Sequence, residues 1–83
     1  MTQIWPEGVP VDVETIDQTP VAFRWQRKRQ QVQTIVEQWI IHDEWWRDEI
    51  WRHYYQIETA SALLCVLYRD LLADAWFLER IYD

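Results

Sequence analysis

The sequence predicts a small all-β protein, an antiparallel meander of about six strands forming a barrel or a sandwich. Three observations carry that prediction. First, Trp51, His53, Tyr55, Ile57 and Thr59 alternate with Arg52, Tyr54, Gln56 and Glu58. A period of two built from aromatic and β-branched residues is the signature of a half-buried strand. Second, the alternation recurs as Val9, Val11, Val13, as Val21, Phe23, Trp25, and as Trp76, Leu78, then Tyr82. Third, these runs follow one another at short, regular spacing, as in meanders that roll up to hide their edges.

The elements follow in order. Residues 1–8 contain Pro6 and Gly8 and read as an irregular lead-in, leaving 9–83 as a single small β domain. Val9 to Ile16 is a strand in which Pro10 fits only an edge or a first position, because proline cannot donate to a ladder. Asp17-Gln18-Thr19-Pro20 is a turn, and Val21 to Gln26 a second strand. Arg27-Lys28-Arg29 forms a charged hairpin tip before a third strand that begins near Gln31.

From there two readings compete. Val32, Ile35, Val36, Trp39 and Ile40 fit helical spacing, which allows one short helix near residues 31–41. The β-branched run Thr34-Ile35-Val36 and the lack of an N-cap favour a strand whose phase is broken by a bulge. His42 to Asp48 reads as a polar loop, Glu49 to Thr59 as the clearest strand, and Ala60-Ser61-Ala62 as a short connection. Leu63 to Tyr68 is apolar enough for a strand covered on both sides. Asp70 to Asp74 turns the chain and Ala75 to Tyr82 closes it. With Gly8 the only glycine, the hairpins are expected to use turns that avoid positive φ.

Eighty-three residues make one domain, and a chain this short hides only roughly 60–65% of its unfolded surface. Seven Trp, four Tyr and two Phe offset that thin core, since each ring removes about 150–250 Å² from water. The formal charge of −6 repels phosphate backbones at long range. Cys65, the only cysteine, sits in the apolar run Leu63-Leu64-Cys65-Val66-Leu67 and reads as a small buried hydrophobe. No signal sequence and no long apolar run is present, so a cytoplasmic location without membrane contact is expected.

Chemistry-bearing groups are sparse. His42, Asp43, Glu44 and the later His53 are metal-ligand types, but the histidines are eleven apart and no ligand-pair spacing links them. The neighbouring acids Asp43/Glu44 and Asp48/Glu49 read as a solvated segment, Ser61 lacks a nucleophile context, and no glycine-rich phosphate loop exists. The expectation is a protein without catalytic residues, metal or cofactor. Two surfaces could bind. Arg24, Arg27, Lys28 and Arg29 beside Phe23 and Trp25 could make a weak single-stranded nucleic-acid site, or simply a soluble hairpin tip. Trp45 and Trp46 are adjacent and cannot both face one core from an extended backbone. With Asp43 and Glu44 they form either a partner-binding face or a lid packed on the barrel end.

The blocks Trp45-Trp46, Arg52-His53-Tyr54-Tyr55-Gln56-Ile57-Glu58-Thr59, Leu67-Tyr68-Arg69-Asp70 and Trp76-Phe77-Leu78-Glu79-Arg80-Ile81-Tyr82-Asp83 occur in that order. Pro20-Val21-Ala22-Phe23-Arg24-Trp25 followed by Arg27-Lys28-Arg29 precedes them. From Val9 to Asp83 this order resembles the C-terminal segment of ImuB-type proteins, the Y-family DNA-polymerase-like accessory factors of bacterial mutagenic repair. The hairpin lacks that family's glycine, and His53 stands where an acid is common. No polymerase-like body is present in these residues, so nothing about nucleotide incorporation carries over. The resemblance implies a non-enzymatic interaction module accessory to DNA damage tolerance and translesion synthesis, contacting a protein partner within the repair-polymerase machinery. Uncovered strand edges also make a homo-oligomer an expected state.

Overall fold

The computed structural model describes residues 2–45 and 48–82. Among them are seven strands and no helix: β1 Gln3–Pro10, β2 Val13–Ile16, β3 Thr19–Trp25, β4 Lys28–Trp45, β5 Asp48–Thr59, β6 Leu64–Asp70 and β7 Ala75–Tyr82. All pair antiparallel in one sheet of order β1-β7-β6-β5-β4-β3-β2, a six-strand meander with β1 added beside β7.

The sheet rolls but its ladder does not close into the barrel the sequence suggested, nor does it split into a sandwich. Two consecutive residues bring its ends together. Val11 N–H donates to the Trp76 carbonyl of β7 at 3.2 Å, while the Asp12 carbonyl accepts from Arg24 N–H of β3 at 3.0 Å. The concave face is one core shared by Phe23, Tyr55, Ile57, Cys65, Leu67, Leu78 and Ile81. Trp5 and Trp25 meet edge to face across its open end, with ring centroids 5.3 Å apart. Of the alternating residues, Tyr55 and Ile57 of β5 and Phe23 and Trp25 of β3 belong to this core, whereas Trp51 is exposed.

Several expectations need correction. The lead-in is not irregular: β1 starts at Gln3, and its register with β7 jumps between Ile4 and Val9, which hides its alternation. Pro10 does lie on an edge strand. Residues 31–41 form no helix; bulges between Val32 and Thr34 and between Ile35 and Glu37 shift the phase of a strand and imitate helical spacing. The polar run His42–Trp45 continues β4 rather than opening a loop. A further bulge opposite Val66 and Leu67 moves Tyr82 to the convex face and turns Ile81 inward. The hairpins do use positive φ without glycine: Asp17 and Gln18 at 50° and 68°, and Gln26 and Arg27 at 51° and 68°. Both are two-residue turns of the type I′ geometry that matches strand twist. Lys28 and Arg29 consequently belong to β4, not to the tip.

The convex face carries a second, smaller core. Trp39, Tyr54, Tyr68 and Phe77 occupy directly paired positions on β4, β5, β6 and β7. Their successive centroids lie 5.3, 5.1 and 5.1 Å apart, and the Arg52 guanidinium sits 4.5 Å over the Tyr68 ring. Directly opposed aromatic pairs are the strongest cross-strand contacts a sheet has. Tyr68 is 1% exposed and its hydroxyl donates to the Glu7 carbonyl at 2.9 Å, tying β1 across this row.

Candidate functional site: the projecting hairpin arm

β4 is far longer than its neighbours. It pairs with β3 only through Gln31 and with β5 all the way to Trp45. Among the described residues, the other edge of β4 from Val32 to Trp45 therefore has no partner strand. β5 likewise loses β6 beyond Arg52, so His42–Trp45 and Asp48–Trp51 stand out as a two-stranded arm. The long dimension of the molecule, 41 Å against 32 and 23 Å, fits this projection.

The arm is solvated on both faces, yet it is not uniformly polar. Ile50 and Trp51 on the arm, and Val36, Ile40 and Ile41 along the open edge leading to it, are all exposed, Ile40 by 59%. Asp43, Glu44, Asp48 and Glu49 crowd its end, and Arg47 is the sole base between Gln30 and Trp51. Apolar side chains on an unpaired edge are unusual in a folded protein unless something binds there.

The residues singled out in the sequence separate as follows. Asp43 and Glu44 reach the arm's end but on opposite faces: Asp43 pairs with Ile50 and Glu44 with Glu49. Trp45 is the last residue of β4, opposite Asp48, and Trp46 lies outside the described residues. His53 does not join His42. Instead Glu49 does, with His42 Nε2 2.9 Å from its Oε2 and 3.6 Å from Glu44 Oε1. The three ligand atoms lie within 4.8 Å of one another, all exposed, an arrangement that could offer a cation three donors. Trp51 stacks on the His42 ring at 4.6 Å.

The basic group is less available than its sequence suggests. Arg29 is held by Glu14, Nε to Oε2 at 2.6 Å and the neighbouring nitrogen to Oε1 at 3.2 Å. That hydrogen bond holds the Glu14 carboxyl below its usual range. Phe23 is buried in the core and Trp25 packs on Trp5, so neither presents a face for base stacking. Cys65 is fully buried, and burial raises its thiol to about 12, the behaviour of an unreactive core residue.

His53 is a packed strand histidine. Its Nε2–H donates to Gln38 Oε1 at 3.0 Å, Nδ1 accepts from the Tyr55 hydroxyl at 3.1 Å, and its ring stacks on Tyr55. Both bonds suit the neutral ring, and burial, aided by Arg69, holds its pKa below the ordinary 6.5. The unfolded chain therefore binds the proton more readily. The stabilisation is complete above 6.5 and is lost as pH falls from 6.5 through the lowered folded value. Chemical denaturation between pH 7.5 and about 5 should show wild-type stability falling with pH more steeply than that of His53→Gln, which cannot take the proton.

No family model, curated protein or solved structure matches the chain. The likeness to ImuB-type C-terminal segments rests on the order of its sequence blocks alone. The described residues contain no helix long and apolar enough to cross a membrane.

The unpaired edge and the convex aromatic row escaped the sequence reading. A signal for the row was present: Tyr54-Tyr55, Leu67-Tyr68 and Trp76-Phe77 are neighbouring bulky pairs, which need both faces of the sheet covered.

Proposed function

We propose that this protein is a non-enzymatic interaction module that engages protein partners through the β4–β5 arm. The observation that carries the reading is the unpaired edge of β4 from Val32 to Trp45, fringed by exposed Val36, Ile40 and Ile41. Such an edge offers a row of backbone donors and acceptors for strand addition, with alternate side chains giving selectivity. The end of the arm, holding Asp43, Glu44 and Trp45, completes the partner face together with Trp46, the next residue in sequence. An aromatic flanked by charge is a favoured anchor in protein interfaces. The ImuB-like block order supports a setting in DNA damage tolerance, with a component of the translesion polymerase machinery as the partner.

Affinity capture from a bacterial extract, read by quantitative mass spectrometry, tests this. The wild-type chain should retain a translesion-synthesis component that Trp45→Ala/Trp46→Ala loses, while the thermal transitions of the two proteins coincide. Equal capture by both proteins would remove the arm's end from the interface.

A further inference from the structure

The convex aromatic row stops abruptly at the open edge. Phe77, Tyr68, Tyr54 and Trp39 run in direct register across four strands, and Trp39 is the last because, among the described residues, nothing pairs with β4 beyond it. Trp39 and Tyr54 are parallel to within 1°. We propose that the edge is occupied by a second copy of this chain, β4 pairing antiparallel with β4 of the partner so that Trp39 faces its own counterpart. This rests on the arm reading above and gives the open edge to a second copy, leaving the arm's end to the other partner.

Three features favour a copy over an unrelated strand. A two-fold axis perpendicular to the sheet keeps convex face with convex face, so the row continues as Phe77–Tyr68–Tyr54–Trp39 and back through the same four residues of the partner. In a register centred on Trp39, Glu37 falls opposite Ile41 and Gln38 opposite Ile40. Glu37 then avoids Asp43 and no two carboxylates oppose each other, although a shift of one residue at the centre would set these acids face to face. Charge along β4 is also polarised: Lys28 and Arg29 begin it, beside Arg24, while Asp43 and Glu44 end it. Antiparallel pairing directs each acidic end toward the partner's basic end, which steers this orientation against the mutual repulsion of two chains of charge −6. Exposed Ile40 and Ile41 become covered in the same step.

The test is the mass of the full chain by sedimentation equilibrium together with directed disulfides. At about 100 µM, where micromolar self-association is saturated, the wild type should weigh twice its monomer mass of 10.3 kDa. Ile40→Glu/Ile41→Glu, which alters only exposed positions and sets a carboxylate opposite the partner's Glu37, should return a folded monomer whose thermal transition no longer depends on protein concentration. Trp39→Cys should form an intermolecular disulfide on mild oxidation, whereas Ile41→Cys, facing Glu37, should not. Cys65 is buried and leaves the background low. Should Trp39→Cys misfold, the exposed pair Gln38→Cys/Ile40→Cys reports the same register through two linkages. A wild-type monomer at that concentration overturns self-pairing, as does a dimer that survives the double glutamate change or crosslinks at Ile41→Cys instead. Either result leaves the capture experiment free to succeed or fail separately.

Discussion

Gly8→Ala should destabilise the protein by about 3 kcal/mol, the sum of two costs that act at one atom. Gly8 has φ of +75°, where an L side chain costs roughly 1–2 kcal/mol. A Cβ there would lie 2.7 Å from Phe77 Cβ, 2.7 Å from the Tyr68 hydroxyl and 2.9 Å from Tyr68 Cε2. Phe77 Cβ is next to the backbone of β7 and cannot swing away, so strand β1 must lift, adding about 1–3 kcal/mol of overpacking. Lifting β1 also stretches the bond from Tyr68 to the Glu7 carbonyl. In a domain of this size each kcal/mol shifts the midpoint by roughly 4–8 °C, so the thermal transition should fall by about 10–25 °C. Tyr68→Phe, which removes only that hydrogen bond, should lose about 1 kcal/mol. If Gly8→Ala melted within a degree or two of the wild type, β1 would not pack on the Tyr68–Phe77 row as described.

That one glycine shows where sequence reading works and where it stops. Alternation identified Tyr55 and Ile57 because β5 runs there without interruption, and Phe23 and Trp25 because they lie beyond the bulge at Val21 of β3. It failed wherever a bulge inserts a residue. Ile4 and Val9 both belong to β1, yet they stand five positions apart while their partners on β7 are two apart. Two bulges in β4 produced a helical spacing in residues that are strand throughout. Turn chemistry misled for another reason. Asp17, Gln18, Gln26 and Arg27 accept positive φ because strand twist demands it at a two-residue turn, overriding a local preference worth about 1 kcal/mol or more per residue.

The candidate site was legible in part. Asp43, Glu44 and Trp45 do mark a protruding end, since they close β4. They looked like a loop because an arm bathed on both faces has no buried side to impose alternation. The Arg29–Glu14 pair links residues fifteen apart in sequence, and only the alignment of β2, β3 and β4 brings them together. An unpaired edge is invisible in principle to local pattern, because it records the length of one strand relative to another.

Phe23→Ala should cost about 3–5 kcal/mol, the range for emptying a fully buried aromatic site. Phe23 belongs to β3, four strands away from β7 in the sheet order, yet shares one core with Leu67 and Leu78 and is 1% exposed. In a flat sheet it would lie near an edge and its truncation would cost little. The predicted loss is therefore a measure of rolling, the feature that the Val11–Asp12 crossing enforces. Against a total stability of roughly 0.05–0.15 kcal/mol per residue, such a loss removes a large share of the whole. Ile40→Ala provides the contrast: at 59% exposed on the open edge it should change stability by less than about 0.5 kcal/mol. Because any dimer adds concentration-dependent stability, both urea titrations belong in the Ile40→Glu/Ile41→Glu background, Ile40→Ala being compared there as glutamate against alanine at position 40. A small effect at Phe23 with an unchanged urea slope would mean that the two ends of the sheet do not meet, and the arm would then be one open edge among three.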